Sequence, residues 1–533
     1  MPKSPTFLHR VRKATSPSEW LIRWLNLPRF EGSPTASGLI LLQIDGLSLI
    51  QLQRALEQKR MPFLRRLLRR GRLHLYPHYS GLPATTPACQ GALFYGVTTA
   101  VPAFSFRAHG ELVRMYQPEA AGAVEALLAS HGHTPLLAGG SAYTSNFTGG
   151  AAEPHFCPAA LGWGKPLRGA PSWVLALFVL LHLPSFARLA VLLVVELGLA
   201  VADFLCGVIQ GQDFFKELKF IPSRVGISIL LRELSVIGAS LDIARGLPAV
   251  HLNFLGYDEQ AHRRGPESLF AHWALKGIDA AIARIWRTAS RCRRRRYQVI
   301  IYSDHGQEQV TPYFKRYGCH LDQAIAELLA ELGLPNQLQA DTGRGVQTWR
   351  IRWFGGRFIQ RLFPVWNENE TEDDRQPMLA ALGPVGHLYL GHPLDPRLRA
   401  RIAQELVNRV QVPLVLTRTG ENVHAWTTAG VFLLPDQAAE LFGADHPFLA
   451  HLGEDWVKLC HHPNAGDFVL VGWRRGVSPL SFAIENGAHA GAGPNETSAF
   501  ALLPSELSRP IANSQYLTTL ELRALALRFL GYV

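Results

Sequence analysis

The sequence predicts an α/β fold with a mostly parallel central sheet flanked by helices, a cap insertion and an apolar helical insertion. Three observations carry this. The runs LILLQIDG (39–46), LPAVHLNFLGYDEQAH (247–262) and YQVIIYSDHG (297–306) are apolar throughout rather than alternating, and each ends in a carboxylate. Continuous apolar runs of this length suit strands buried on both faces of a parallel sheet. Helix-like stretches such as 48–70 and 268–290 lie between the runs, which gives the β-α-β order. Finally, 533 residues with 47% hydrophobic and 18% charged content can bury a large core and are not a disordered chain.

Taken in order, residues 1–36 form a basic extension. Trp20 and Trp24 stand there among short apolar patches, without the continuous apolar core of a cleavable secretory signal. The first part of the core, 37–171, contains the first carboxylate-ended run and a strand-like stretch from Leu73 to Tyr79. The segment GLPATTPACQGALFYG (81–96) follows, with Thr85 and Thr86 set before Pro87. A threonine ahead of a proline is a common helix entry, so a simple N-cap is one reading; a hydroxyl nucleophile is the other. Residues 172–220 are the apolar insertion, 221–340 the second part of the core, 341–484 the cap region with its polar loop at 367–377, and 485–533 the C-terminal part of the core.

Lys and Arg total 53 against 42 Asp and Glu, a net charge of +11. That excess suits an anionic partner: a phosphorylated substrate, a nucleic acid or an acidic membrane surface. No stacking or groove-reading motif accompanies it, so no nucleic acid is expected as a specific partner. Six scattered cysteines without a C-x-x-C pair read as reduced thiols and disfavour a zinc ribbon.

Within the insertion, the first apolar stretch stops at Pro184, short of the roughly 20 residues a spanning helix needs. The second, Leu189 to Ile209, is long enough but carries Glu196 and Asp203. A transmembrane hairpin, a pair of interfacial helices and a buried insertion are all compatible with this pattern. Lys165, Arg168, Arg188, Lys216 and Lys219 flank it and favour anionic lipid. Two short amphipathic helices lying in one leaflet explain both the apolar content and the charges. The expectation is a membrane-associated chain with its catalytic domain on the cytoplasmic face.

The chemistry-bearing residues are spread along the whole chain. Asp258 and His262 are four apart, which on a helical turn puts both side chains on one face. Asp304 and His305 follow a buried strand, and Gly306 allows the sharp turn that two adjacent ligands need. His489 lies among Gly and Ala in ENGAHAGAGPNETSAF (485–500). With Asp45, these make three carboxylates and three imidazoles. That donor set suits two divalent ions of zinc type, with manganese a second choice. Two such ions roughly 3.5–4 Å apart form a clamp for in-line displacement at phosphorus, with Thr85 supplying a hydroxyl.

Five motifs then carry a resemblance. QIDG, TTP, YDEQAHRRG, YSDHG and NGAHAGAG occur in order over residues 39–495. In this the chain resembles the type I phosphodiesterase/nucleotide pyrophosphatase branch of the alkaline phosphatase superfamily, which implies an alkaline-phosphatase-like fold and a phosphoric ester hydrolase. The resemblance implies Thr85 as the nucleophile, first of T-x-P, with Thr86 at the variable position. It implies one ion on Asp258, His262 and His489, and the other on Asp45, Asp304, His305 and the Thr85 oxygen. Diester over monoester rests on the resemblance alone. Two departures stand out. Ala88 replaces the Asn that helps hold the phosphoryl group, with Gln90 the nearest substitute for substrate binding, and VPAFSFRAHG (101–110) replaces the family's H-G-I. A sulfatase is excluded, because Cys89 is not followed by the required proline and arginine. A phosphomonoesterase or phosphotransferase on a lipid-linked substrate, and an inactive metal-binding membrane scaffold, are the alternatives.

Overall fold

The computed structural model describes residues 22, 27–28, 36–98, 101–158, 226–342, 376–508 and 515–532, and ten residues within 183–201. Most of the basic extension, the polar loop at 367–377 as far as residue 375, and most of the apolar insertion lie outside these residues.

The central sheet has eight strands: β1 (Ser37–Ile44), β2 (Leu73–Tyr79), β3 (Ser141–Tyr143), β4 (Glu153–His155), β5 (Ala249–Phe254), β6 (Arg296–Tyr302), β7 (Ser498–Pro504) and β8 (Leu517–Thr518), in the spatial order β8-β2-β7-β6-β1-β5-β3-β4. Every neighbouring pair is parallel except the two made by β7, which runs against β2 and β6. The three carboxylate-ended runs are β1, β5 and β6 at its centre. Ile40, Leu42, Val250, Leu252 and Ile301 pack on one face, while Leu39, Leu41, Ala249, Ile300 and Tyr302 pack on the other. Burial on both faces is what removes the alternation from their sequence.

Helices cover the sheet because their apolar residues recur every three or four positions. Helix Leu269–Arg291 buries Leu275, Ile278, Ile282 and Ile285, and starts at Ser268, whose hydroxyl accepts from Ala271 N–H. The stretch 48–70 is not one helix but two, Leu49–Glu57 and Pro62–Arg69. Pro62 cannot continue a preceding helix, and Asp279 of the long helix accepts from Phe63 and Leu64 N–H at 2.9 Å to cap the second.

A second sheet of seven strands is drawn from residues 339–471. Its core includes Val385, Leu414, Val469 and Trp456, and is continued by Tyr79 and Leu82 from the central-sheet side and by Ala490 and Ala492 of the His489 loop. The approach to the Thr85–Thr86 turn and the His489 loop are therefore seated against this second core.

Candidate active site

The register of the parallel strands brings their carboxyl ends level. Gln43 pairs with both Asn253 and Tyr302, and Ile44 with Phe254. Asp45, the segment leading to Asp258, and Asp304 thus leave the sheet side by side, where open parallel sheets bind ligands. Asp258 and His262 sit on helix α2 (Gly256–Arg264), which begins as β5 ends. A short antiparallel pair, Gly487 to Gln309 and Ala488 to Glu308, carries His489 to the Asp304–His305 turn.

Two glycines let these segments meet. Gly46 has φ +69°, and a Cβ there would lie 2.4 Å from Asp258 Oδ1. Gly306 is glycine for space and not for turn conformation, since its φ is not positive. A Cβ on it would lie 2.0 Å from the Asn495 carbonyl oxygen.

The structure brings together all six predicted ligand side chains. His262 Nε2 is 3.4 Å from Asp258 Oδ2 and 3.2 Å from His489 Nε2, and His489 Nε2 is 3.9 Å from Asp258 Oδ1. His305 Nε2 is 3.6 Å from Asp45 Oδ1 and 3.4 Å from Asp304 Oδ2, and the His305 and His489 rings stack at 3.7 Å. Donor atoms of Asp258, His262 and His489, and of Asp45, Asp258 and His305, lie within 4.8 Å of one another.

This cluster is short of positive charge: against three carboxylates, only His262 among its imidazoles is held well above the usual range, burial lowering it and the Asp258 and Glu485 carboxylates outweighing that. Burial, with Asp304 and Asp258 adding, pushes Asp45 well above the usual carboxylate range. Burial pushes Asp304 up to about 6, the Thr86 hydroxyl opposing and Asp258 adding. Burial lowers His305 to about 4 and His489 to about 3, the neighbouring imidazoles contributing. Asp258 goes the other way: burial raises it, but His262, His489 and His305 outweigh that and hold it low.

The histidine tautomers point to the same need. Nδ1 of His489 faces Ala84 O at 2.7 Å, Nδ1 of His305 faces Gly306 O at 2.9 Å, and Nδ1 of His262 faces Glu485 Oε2 at 2.8 Å and Gly487 O at 3.0 Å. Each acceptor calls for a proton on Nδ1, so the Nε2 atoms face inward. His262 Nε2 and His489 Nε2 lie 3.2 Å apart, and an ion would take the place of the second His262 proton there, beside an Asp304 Oδ2 that is buried without a hydrogen bond. The donor set therefore fits two divalent ions.

The threonines are arranged differently from the sequence expectation. Helix α1 (Thr86–Tyr95) starts at Thr86, with Thr85 as an extended N-cap whose side chain caps nothing. Thr85 Oγ1 is buried without a hydrogen bond. Thr86 Oγ1 lies 3.1 Å from Asp45 Oδ1 and 3.1 Å from His305 Nε2. The hydroxyl among the ligands is that of Thr86.

Gln90 is also placed away from the expected role. Its Nε2 donates to Gln43 Oε1 at 3.0 Å, and its Oε1 accepts from Asn146 N–H at 2.8 Å, so it ties α1 to the sheet instead of facing substrate.

Three supporting residues escape motif reading. Asn253 donates to Asp45 Oδ2 at 2.7 Å, Gln307 to Asp258 Oδ1 at 2.5 Å, and Glu485 accepts from His262. The available signal was polarity out of place: Gln43, His251 and Asn253 interrupt otherwise apolar buried strands. A further cluster, Glu153, His155 and Asp242, is occupied by Arg245, which donates to Glu153 Oε2 at 2.6 Å and to Asp242 Oδ1 at 2.9 Å. Its own cation fills the place of an ion.

Residues 248–355 match the model of the type I phosphodiesterase / nucleotide pyrophosphatase family. A sequence search of curated proteins found no match. Among solved structures, the chain is similar to the phosphonoacetate hydrolase of Sinorhizobium meliloti 1021 in complex with phosphonoformate, at 14% identity and a TM-score of 0.47 over 94% of this chain and 97% of that one. It is also similar to an inactive variant of murine ectonucleotide pyrophosphatase / phosphodiesterase 5 in complex with AMP, at 9% identity and a TM-score of 0.44 over 93% and 95%. The match over 248–355 takes in Asp258, His262, Asp304 and His305, four of the six clustered side chains.

Proposed function

We propose that the protein hydrolyses a phosphodiester by double displacement, with Thr86 as the nucleophile and two divalent ions, zinc by donor type, on the six clustered ligands. The observation that carries this is the Thr86 hydroxyl held 3.1 Å from both Asp45 and His305. Asp258, His262 and His489 would hold one ion, and Asp45, Asp304 and His305 the other. Bound ions supply positive charge that stabilises the entering and leaving oxygens and lowers the pKa of a hydroxyl. Asp45 Oδ1 is placed to accept the Thr86 proton. Thr86 Oγ1 forms a bond to phosphorus as the bond to the leaving alcohol breaks, and water then cleaves the phosphothreonine. Thr86 opens α1, so the positive end of that helix faces the charge that develops.

The test is turnover of an aryl phosphodiester by zinc-loaded protein. Thr86→Ala should be inactive with its metal content largely retained, and Thr85→Ala should keep most activity. An inactive Thr85→Ala beside an active Thr86→Ala would return the role to Thr85. An aryl phosphomonoester turned over in preference would favour the monoesterase reading, and an inert wild type the scaffold reading.

We also propose that the chain works on an anionic membrane surface, on the cytoplasmic side that its free thiols suit. Supporting this, the described helical residues of the insertion expose Leu183, Val191, Val194, Val195, Leu197 and Val201, Val194 to 72%. Among the described residues no helix is long and apolar enough to cross a membrane. Apolar side chains entering the acyl boundary, with flanking Lys and Arg at the headgroups, fit an interfacial helix. Full-length protein should sediment with phosphatidylserine-containing vesicles, and a Val191→Ser, Val194→Ser, Leu197→Ser variant should not. Wild type left in the supernatant would refute it.

A further inference from the structure

Of the three cluster histidines, His262 alone is backed by a carboxylate. His489 and His305 turn Nδ1 to backbone carbonyls, whereas His262 turns it to Glu485 Oε2 at 2.8 Å. Glu485 is held in turn by the Ser481 hydroxyl on Oε1. The same stretch is laced to α2 by its backbone: Asn486 N–H donates to His262 O at 2.8 Å, and Asn486 Nδ2 to Arg263 O at 2.7 Å. A Cβ on Gly487 would lie 2.4 Å from Ala261 O. Glu485 therefore reaches His262 from a seat that does not depend on an ion.

The charges of the two half-sites explain what such a residue does. The half-site of Asp45, Asp304 and His305 has two carboxylates; that of Asp258, His262 and His489 has one. A carboxylate hydrogen-bonded to a ligating imidazole fixes its tautomer and makes its other nitrogen a stronger donor. The geometry points to Glu485 as the positioning residue of the second half-site, holding His262 with Nε2 toward the ion and supplying the negative charge that this half-site lacks. This rests on the two-metal reading above.

The experiment is calorimetric titration of chelator-treated full-length protein with zinc alone, without substrate. Wild type should bind two ions. Glu485→Gln, which keeps the size and an acceptor but loses the charge, should bind one ion as wild type does and the other about 10–100-fold more weakly. Ser481→Ala, which frees Glu485 without removing it, should weaken the same ion by less. In a His262→Ala background, Glu485→Gln should add no further loss, because its effect passes through that ring. Two wild-type constants in Glu485→Gln, equal weakening of both ions, or an undiminished effect without His262 would overturn the assignment while leaving the two-metal reading intact. A wild type that takes up fewer than two ions would overturn both.

Discussion

Replacing Gly306 by alanine tests how the Asp304–His305 turn is held. The added Cβ would lie 2.0 Å from the Asn495 carbonyl oxygen, about 1.4 Å short of the 3.4 Å at which ordinary contact begins, and 2.5 Å from Ser48 Cβ. Both walls are tied in place. Gly306 N–H donates to Glu496 O at 2.8 Å, Asn495 N–H donates to Glu308 Oε1 at 2.7 Å, and Ser48 caps helix Leu49–Glu57. Overpacking costs typically about 1–3 kcal/mol, and two tethered walls place this case at the upper end, near 3 kcal/mol. That is roughly a hundredfold in the folding equilibrium. Any relief must come from moving the turn, which carries Asp304 and His305 with it. Urea denaturation should therefore report the destabilisation, and zinc titration the loss of the ion held by Asp45, Asp304 and His305. Gly122→Ala is the control: it lies in helix Pro118–Ser130 with open space around it, and should be neutral or slightly stabilising. A Gly306→Ala protein with wild-type stability and both ions bound would refute the reasoning.

Glu496 accepts from Gly491 and Gly493 N–H at 2.8 Å, and burial, with the Glu308 charge adding, pushes it up to about 8. A raised carboxyl pKa stabilises the fold fully below the ordinary value, and that stability is lost as pH rises toward about 8. Glu496→Gln should flatten the melting-temperature profile across that window and gain on wild type above it; an unchanged pH profile would count against this. Arg245 is buried between Glu153 and Asp242, so Arg245→Met strands two carboxylates and should cost about 3–5 kcal/mol by urea denaturation. A cost below about 1 kcal/mol would mean the pair relaxes into water. Chelation should abolish turnover yet leave far-UV circular dichroism unchanged, because backbone contacts such as Ala84 N–H to Ala490 O hold the site together without the ions.

The strands that build the centre, the order of the ligand motifs and the carboxylates at the strand ends were legible along the chain. Each is a local property. An apolar run without alternation announces burial on two faces, and its last residues announce the ligand-binding edge. The choice between Thr85 and Thr86 was not legible, because one residue at a helix start turns a side chain by about 100°. The deciding partners, Asp45 and His305, lie 41 and 219 residues away. Gln90 could not be separated from a substrate residue by its type; only the meeting of α1 with Gln43 and Asn146 shows its amide spent inside the protein. Glu485 stands four residues before His489 and looks like loop polarity until folding sets it against His262, 223 residues earlier. Gly306 was readable as a required glycine but for the wrong cause: its φ is ordinary, and the missing Cβ makes room for a carbonyl from a distant loop. Sequence by itself determined which groups could bind metal and in what order the chain presents them. Tertiary structure decided which hydroxyl and which carboxylate join them, because those choices depend on side-chain direction and on contacts that no local pattern encodes.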